Sequence, residues 1–168
     1  MKVVVQDASV LIDLAAADLL EAWFSLGIET LTSSFVWREV NRRAQKAKLR
    51  AFARDKRIQV VDMGTEVLSE IVLLKMDLPA KLSLNDASVL HLAVERTAVL
   101  LTGDRNLRTS AEARAVTVYS LPALMDYMVQ EEALAAATAV TKLELLCRLN
   151  SRLSKKECEP LLAKWRNA

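Results

Sequence analysis

The chain has 168 residues, 52% of them apolar, and a formal charge of +2. That is ample material for one sizeable core and excludes global disorder. So small a net charge excludes reading a nucleic-acid binder from the total, leaving the distribution of charge to decide. The length fits one domain, with room for a small appendage. Cys147 and Cys158 show no ligand-like clustering and read as reduced thiols rather than a disulfide. Asp7 and Asp13 interrupt any signal-peptide core, and the quiet stretch Ala133 to Val140 is far shorter than the ~18 residues of a membrane span. The expectation is a soluble cytoplasmic protein.

In chain order, Lys2-Val3-Val4-Val5-Gln6 suits a strand buried on both faces, as in a parallel sheet. It ends at Asp7, the usual ligand position of an open α/β sheet, and Ser9 is expected to cap a helix opening at Val10 and running to Leu26, with a break near Ala17-Asp18. Gly27 stops it, and Ile28 to Thr32 forms a short strand. Ser33 or Ser34 then caps a long helix, since Val36, Val40, Ala44, Ala47 and Ala51 recur at helical spacing. Ile58 to Val61 is a strand ending at Asp62, and Gly64-Thr65 opens a helix that Asp77-Leu78-Pro79 interrupts. A helix from Asp86 to Glu95 precedes a fully buried strand, Ala98 to Thr102. A short helix (Asn106 to Ala113), a strand (Val116 to Tyr119) and a helix from Pro122 follow.

Such alternation predicts a three-layer α/β/α sandwich with a mainly parallel central sheet. From about Glu131 the pattern is helical only. Leu143, Leu146, Leu149 and Leu153 make one stripe, Leu161, Leu162 and Trp165 another, with a turn near Asn150-Ser151 or Ser154. The expected division is an α/β domain over 1–130 and an α-helical hairpin over 131–168. The hairpin must pack on that core or on a second subunit.

Four acids hold distinctive places. Asp7 ends the first strand, Glu39 lies near the start of the long helix, Asp86 opens a helix, and Asp104 follows a buried strand by one glycine. Each also has an ordinary explanation: a helix-dipole contact for Asp86, a partner for Arg42 or Arg43 for Glu39, a turn for Asp104. Helix N-termini are expected at the opposite sheet edge from strand C-termini. On that expectation Asp86 meets Asp7 and Asp104 only if their elements are staggered.

The stretches Val5-Gln6-Asp7-Ala8-Ser9-Val10-Leu11-Ile12, Glu39, Leu84-Asn85-Asp86-Ala87-Ser88-Val89-Leu90 and Leu101-Thr102-Gly103-Asp104-Arg105 occur in this order. Over about Lys2 to Gln130 the chain thereby resembles the PIN-domain family of metal-dependent ribonucleases, which includes the toxins of VapBC toxin–antitoxin pairs. The resemblance implies that Asp7, Glu39, Asp86 and Asp104 gather in one catalytic pocket holding Mg²⁺ or Mn²⁺. Ser9, Thr102 and Asn106 would be supporting residues. The chemistry agrees: clustered carboxylates need cations or protons to offset repulsion, and hard oxygen ligands suit Mg²⁺ or Mn²⁺. Such a site activates water for in-line attack on phosphorus. His91, the single histidine, reads as structural.

For RNA, Arg43, Lys46, Arg50, Arg54 and Arg57 form a basic stripe on the long helix, flanked by Arg38, Arg42, Lys48 and Lys56. Arg105, beside Asp104, is a second candidate for a scissile-phosphate contact, and Trp37 reads as packing rather than base stacking. The resemblance also implies a homodimer and a cognate antitoxin as partner. A haloacid-dehalogenase phosphatase needs a second Asp where Ser9 stands, a receiver domain needs an acidic pair and a lysine that are not placeable, and no Gly-rich phosphate loop is present. The expected function is a divalent-metal-dependent endoribonuclease acting on single-stranded or loop RNA. The alternative is a catalytically silent PIN-like module that binds RNA or protein.

Overall fold

The computed structural model describes residues 3–40, 46–150 and 153–167. β1 (Val3–Gln6) leads into α1 (Ala8–Ala16) and α2 (Leu20–Ser25), and β2 (Glu29–Ser33) into α3 (Ser34–Val40) and α4 (Lys46–Arg54). β3 (Gln59–Val61) leads into α5 (Thr65–Asp77) and α6 (Leu84–Glu95), and β4 (Val99–Leu101) into α7 (Arg105–Glu112). β5 (Val118–Tyr119) is followed by α8 (Leu121–Gln130), α9 (Ala136–Leu149) and α10 (Lys155–Arg166).

The strands form one five-stranded sheet in the order β3-β2-β1-β4-β5, every pairing parallel. β1 is central, with Val4 and Val5 fully buried between helical layers. This is the expected α/β/α sandwich. The chain winds outward from β1 to β3, then returns to the other side of β1 for β4 and β5. Strand order therefore reverses between β1 and β4, the place where open α/β sheets bind ligands beyond the strand C-termini.

The expected edge for the helix N-termini is corrected. A helix feeding a parallel strand must run antiparallel to it, so α6, which leads into β4, starts at the strands' C-terminal edge. Ser88 in its second turn accordingly meets Ser33 at the end of β2, with 2.6 Å between hydroxyl oxygens. No special stagger is needed.

Several element ends also differ from expectation. α1 opens at Ala8, because the Asp7 carboxylate rather than Ser9 accepts its first N–H. The break expected near Ala17-Asp18 is present, by contrast: Asp18 takes a positive φ of 53° between α1 and α2. α6 begins at Leu84 with Ser83 as its cap. Ser33 Oγ accepts the N–H of Val36 at the start of α3, while the middle of the long helix, with Arg42, Arg43 and Ala44, lies outside the described residues.

The hairpin of α9 and α10 packs on α8. Leu143, Leu146, Cys158 and Trp165 are buried, and Trp165 Nε1 donates to Asp126 at 2.9 Å. Both cysteines are free, and burial, then the adjacent Cys147, pushes the Cys158 thiol up to about 12. His91 faces Glu70 at 3.7 Å across the α5–α6 contact, away from the acids. Trp37 is half-buried against the core. Among the described residues no helix is long and apolar enough to cross a membrane.

Gln6 is the anomaly of the core. Its side chain is fully buried, and neither amide atom has a hydrogen-bond partner among the described residues. An orphaned buried polar group costs about 1–3 kcal/mol. Gln6→Met, which keeps the volume and removes both polar atoms, is therefore predicted to raise the urea midpoint. A lower midpoint would show that the amide is satisfied in solution.

Candidate functional site

The C-terminal edge of the sheet opens into a cavity of about 1000 Å³ whose wall includes Asp7, Glu39, Asp86 and Asp104. Each acid is delivered by a local rule of chain geometry. Asp7 is the N-cap of α1 and stands one residue past β1, its N–H donating to Leu101 O at the end of β4 at 3.1 Å. Its Oδ1 accepts the N–H of Ala8 at 2.6 Å, and its Oδ2 accepts the hydroxyls of Ser9 and Thr102, both at 3.0 Å.

Asp104 is the N-cap of α7, its Oδ1 accepting the N–H groups of Asn106 at 2.7 Å and Leu107 at 3.0 Å. Thr102 Oγ1 in turn accepts the Asp104 N–H at 3.1 Å, so one hydroxyl links both acids. Asp86 forms a capping box with Ser83: Asp86 Oδ2 accepts the Ser83 N–H at 2.6 Å and hydroxyl at 2.7 Å, and Ser83 Oγ accepts the Asp86 N–H. Capping thus falls on Oδ1 alone in Asp104 and on Oδ2 alone in Asp86. Three helix N-termini point their positive ends at this cavity, which tempers the carboxylate repulsion.

Glu39 arrives from α3 and accepts from Asn85 Nδ2 at 3.0 Å. Asn85 is anchored in turn. Its carbonyl accepts the Ser88 hydroxyl at 2.6 Å, and Ser88 meets Ser33 at the end of β2. A buried hydroxyl chain therefore ties the β2 edge to the α6 terminus that holds Glu39. The sequence alone placed Asn85 only within a motif and did not single out Ser83, so the positioning work of both was missed. The Ser-x-x-Asp spacing of a capping box was the available signal for Ser83.

Asp7 is the electrostatic focus, being 8% exposed. Burial, then the nearby Asp86 charge, pushes its carboxyl up to about 6, against the hydrogen bonds from Thr102, Ser9 and Ala8. A cation would reverse that balance. The donor set fits one: all oxygen, no thiol or imidazole, the pattern of Mg²⁺ or Mn²⁺ sites. Among the described residues no three acidic, histidine or cysteine side chains already stand in a cation cage. The four carboxylates share a cavity rather than a single point.

Arg105 and Asn106 also line this cavity, exposed at the start of α7. Lys46 and Arg50 sit exposed on α4, off the cavity wall, and Arg43 lies outside the described residues. Part of the basic stripe and its flank is committed elsewhere, with Arg57 paired to Glu21 at 2.6 Å and the flanking Lys48 to Asp18. A cation the sequence reading passed over, Arg108 of α7, also lies on the wall. So do Asn150, Leu153, Ser154 and Glu157 of the hairpin, and Asn150 Nδ2 donates to Asp13 Oδ2 at 2.8 Å.

The Asp7 environment predicts a pH signature in divalent-free buffer. The folded chain holds this proton more tightly than the unfolded chain, so stability falls as pH rises between 3.8 and about 6. Below that window both states are protonated and there is no cost; above it the cost is full, about 3 kcal/mol. Denaturation of wild type and Asp7→Asn across pH is expected to show the variant gaining relative stability through this window. A constant difference would contradict it.

Comparison with known proteins follows the same lines. A family model described as a PIN domain matches residues 3–167, a range that runs through the hairpin. Among solved structures, PAE2754 from Pyrobaculum aerophilum is similar with a TM-score of 0.58 at 18% identity, over 77% of this chain and 90% of that one. That likeness bears on the fold. No curated protein matches the chain.

Proposed function

Because the chain belongs to the PIN-domain family, whose members are generally nucleases, we propose that it is a divalent-metal-dependent endoribonuclease acting at the Asp7 cavity. The observation that carries this reading is the buried Asp7 carboxylate facing Asp86, a charge arrangement that protein groups alone leave poorly compensated. Asp7, Glu39, Asp86 and Asp104 would hold Mg²⁺ or Mn²⁺. When bound, such a cation supplies charge neutralisation at the phosphate and water activation for in-line displacement.

The protein's own groups do the rest. Ser9 and Thr102 fix the Asp7 carboxylate through its Oδ2, so its position survives loading. Asn85 aims Glu39, an orienting role of the kind that outer hydrogen-bond partners play in metal sites. Arg105, beside Asp104 on the cavity wall, offers a cation for the phosphate being cleaved. Single-stranded or loop RNA is the proposed substrate. Action as the toxin of a toxin–antitoxin pair, as a homodimer in the cytoplasm, is the physiological setting the family suggests.

Incubation with a mixed single-stranded RNA pool tests the reading. Cleavage is expected with Mg²⁺ or Mn²⁺, none with EDTA, and Asp86→Asn should lose more than the ~100-fold typical at most for an outer-shell partner. Mn²⁺ should also raise the melting temperature of the wild type, since an ion that binds only the folded state stabilises it. Absence of both cleavage and metal stabilisation would sink the proposal. Asn85→Ala is expected to lower activity roughly 10- to 100-fold while leaving the fold intact by circular dichroism. Unchanged activity would remove Asn85 from the positioning network.

A further inference from the structure

A second cavity, of about 460 Å³, opens beside the first between β5, α8 and α10. The two share Arg108, Ser120 and Glu157 as a common wall, so together they form one groove along the C-terminal edge of the sheet. The acids end β1 and follow β4, while Tyr119 and Ser120 end β5, the next strand out. Adjacent strands lie about 4.8 Å apart, which sets the second cavity roughly 10 Å from Asp7 along this edge.

We propose that this second cavity is a nucleobase subsite for the nucleotide next to the scissile phosphate. The inference rests on the nuclease reading above and adds where the strand goes. Tyr119 and Tyr127 are half-buried on its wall and present ring area to a base. Stacking on such rings is sequence-tolerant, as a single-strand reader needs.

Charge along the groove agrees. Arg108 stands at the junction of the two cavities, and Lys156 lines the second. Among the described residues Arg108 pairs with Glu157, at 3.9 Å. A loose, partly exposed pair of that kind contributes little, so exchanging it for a backbone phosphate is cheap. Asp126 also lies on the wall, yet its carboxylate is occupied by Lys164 at 2.8 and 2.9 Å, Trp165 at 2.9 Å and Gln130 at 2.6 Å. It therefore does not repel an incoming phosphate as an uncompensated charge would. The hairpin thus acts as the outer wall of a substrate groove, with α10 facing the base.

The test is photocrosslinking of a short single-stranded RNA carrying one 4-thiouridine, moved stepwise along the sequence. An Asp104→Asn chain with Mg²⁺ keeps the RNA intact, and crosslinked peptides are mapped by mass spectrometry. Crosslinks are expected at Tyr119 or Tyr127 for one probe position. In parallel, Tyr127→Ala should weaken RNA binding on the order of tenfold, while Tyr127→Phe retains it. Bound RNA that crosslinks only outside this cavity overturns the subsite and leaves the nuclease reading standing, and so does Tyr127→Ala binding as wild type. If the wild-type chain neither binds nor cleaves RNA, both fall together.

Discussion

A carboxylate at the end of a central strand is held where water cannot reach it freely, and the surrounding architecture answers that constraint. Asp7 is fixed by three donors from two directions: its own helix, through Ala8 and Ser9, and the neighbouring strand's exit, through Thr102. Those donors favour the ion. Burial and the Asp86 charge oppose it and win, which is why the carboxyl ionises near 6 rather than 3.8. Each hydrogen bond to a charged group contributes a few kcal/mol at most, whereas desolvation of an ion in a protein interior costs more than such bonds return. A positive partner would relieve that cost, which is the ground for the proposed divalent cation.

The reversal of strand order beside β1 explains why the acids converge. Asp7 and Asp104 follow adjacent parallel strands, so they emerge side by side at one edge. Asp86 joins them because α6 runs antiparallel to the strand it feeds. Glu39 joins from α3, which leaves that same edge after β2. The hairpin contributes to the enclosure, since Asn150, Leu153, Ser154 and Glu157 line the same cavity. It is also continuous with the α/β part in its core, through Leu143, Leu146 and Trp165.

Much of this was legible in the residues. The valine run, the apolar strand before Gly103 and the helical spacing between them specify a parallel sheet and place Asp7 and Asp104 at strand exits, because local periodicity carries that information. What stayed hidden depends on contacts between residues far apart in sequence. The Thr102–Asp7, Ser88–Ser33 and Asn85–Glu39 bonds join segments that only the strand order brings together. The break near Ala17-Asp18 was legible in the residues, although the left-handed backbone at Asp18 that makes it was not. The basic stripe illustrates the opposite hazard. It is real as a pattern, yet Lys48 and Arg57 are paired with acids of the first helical layer, and the cavity takes its cations from α7.

Calorimetric titration with Mn²⁺ tests the central claim most directly, because it asks whether the cavity takes a cation without requiring the right RNA. Saturable binding to the wild type, weakened at least tenfold in both Asp7→Asn and Asp104→Asn, is the result this account predicts. Wild-type protein that shows no saturable uptake, or variants that bind Mn²⁺ as the wild type does, would contradict it.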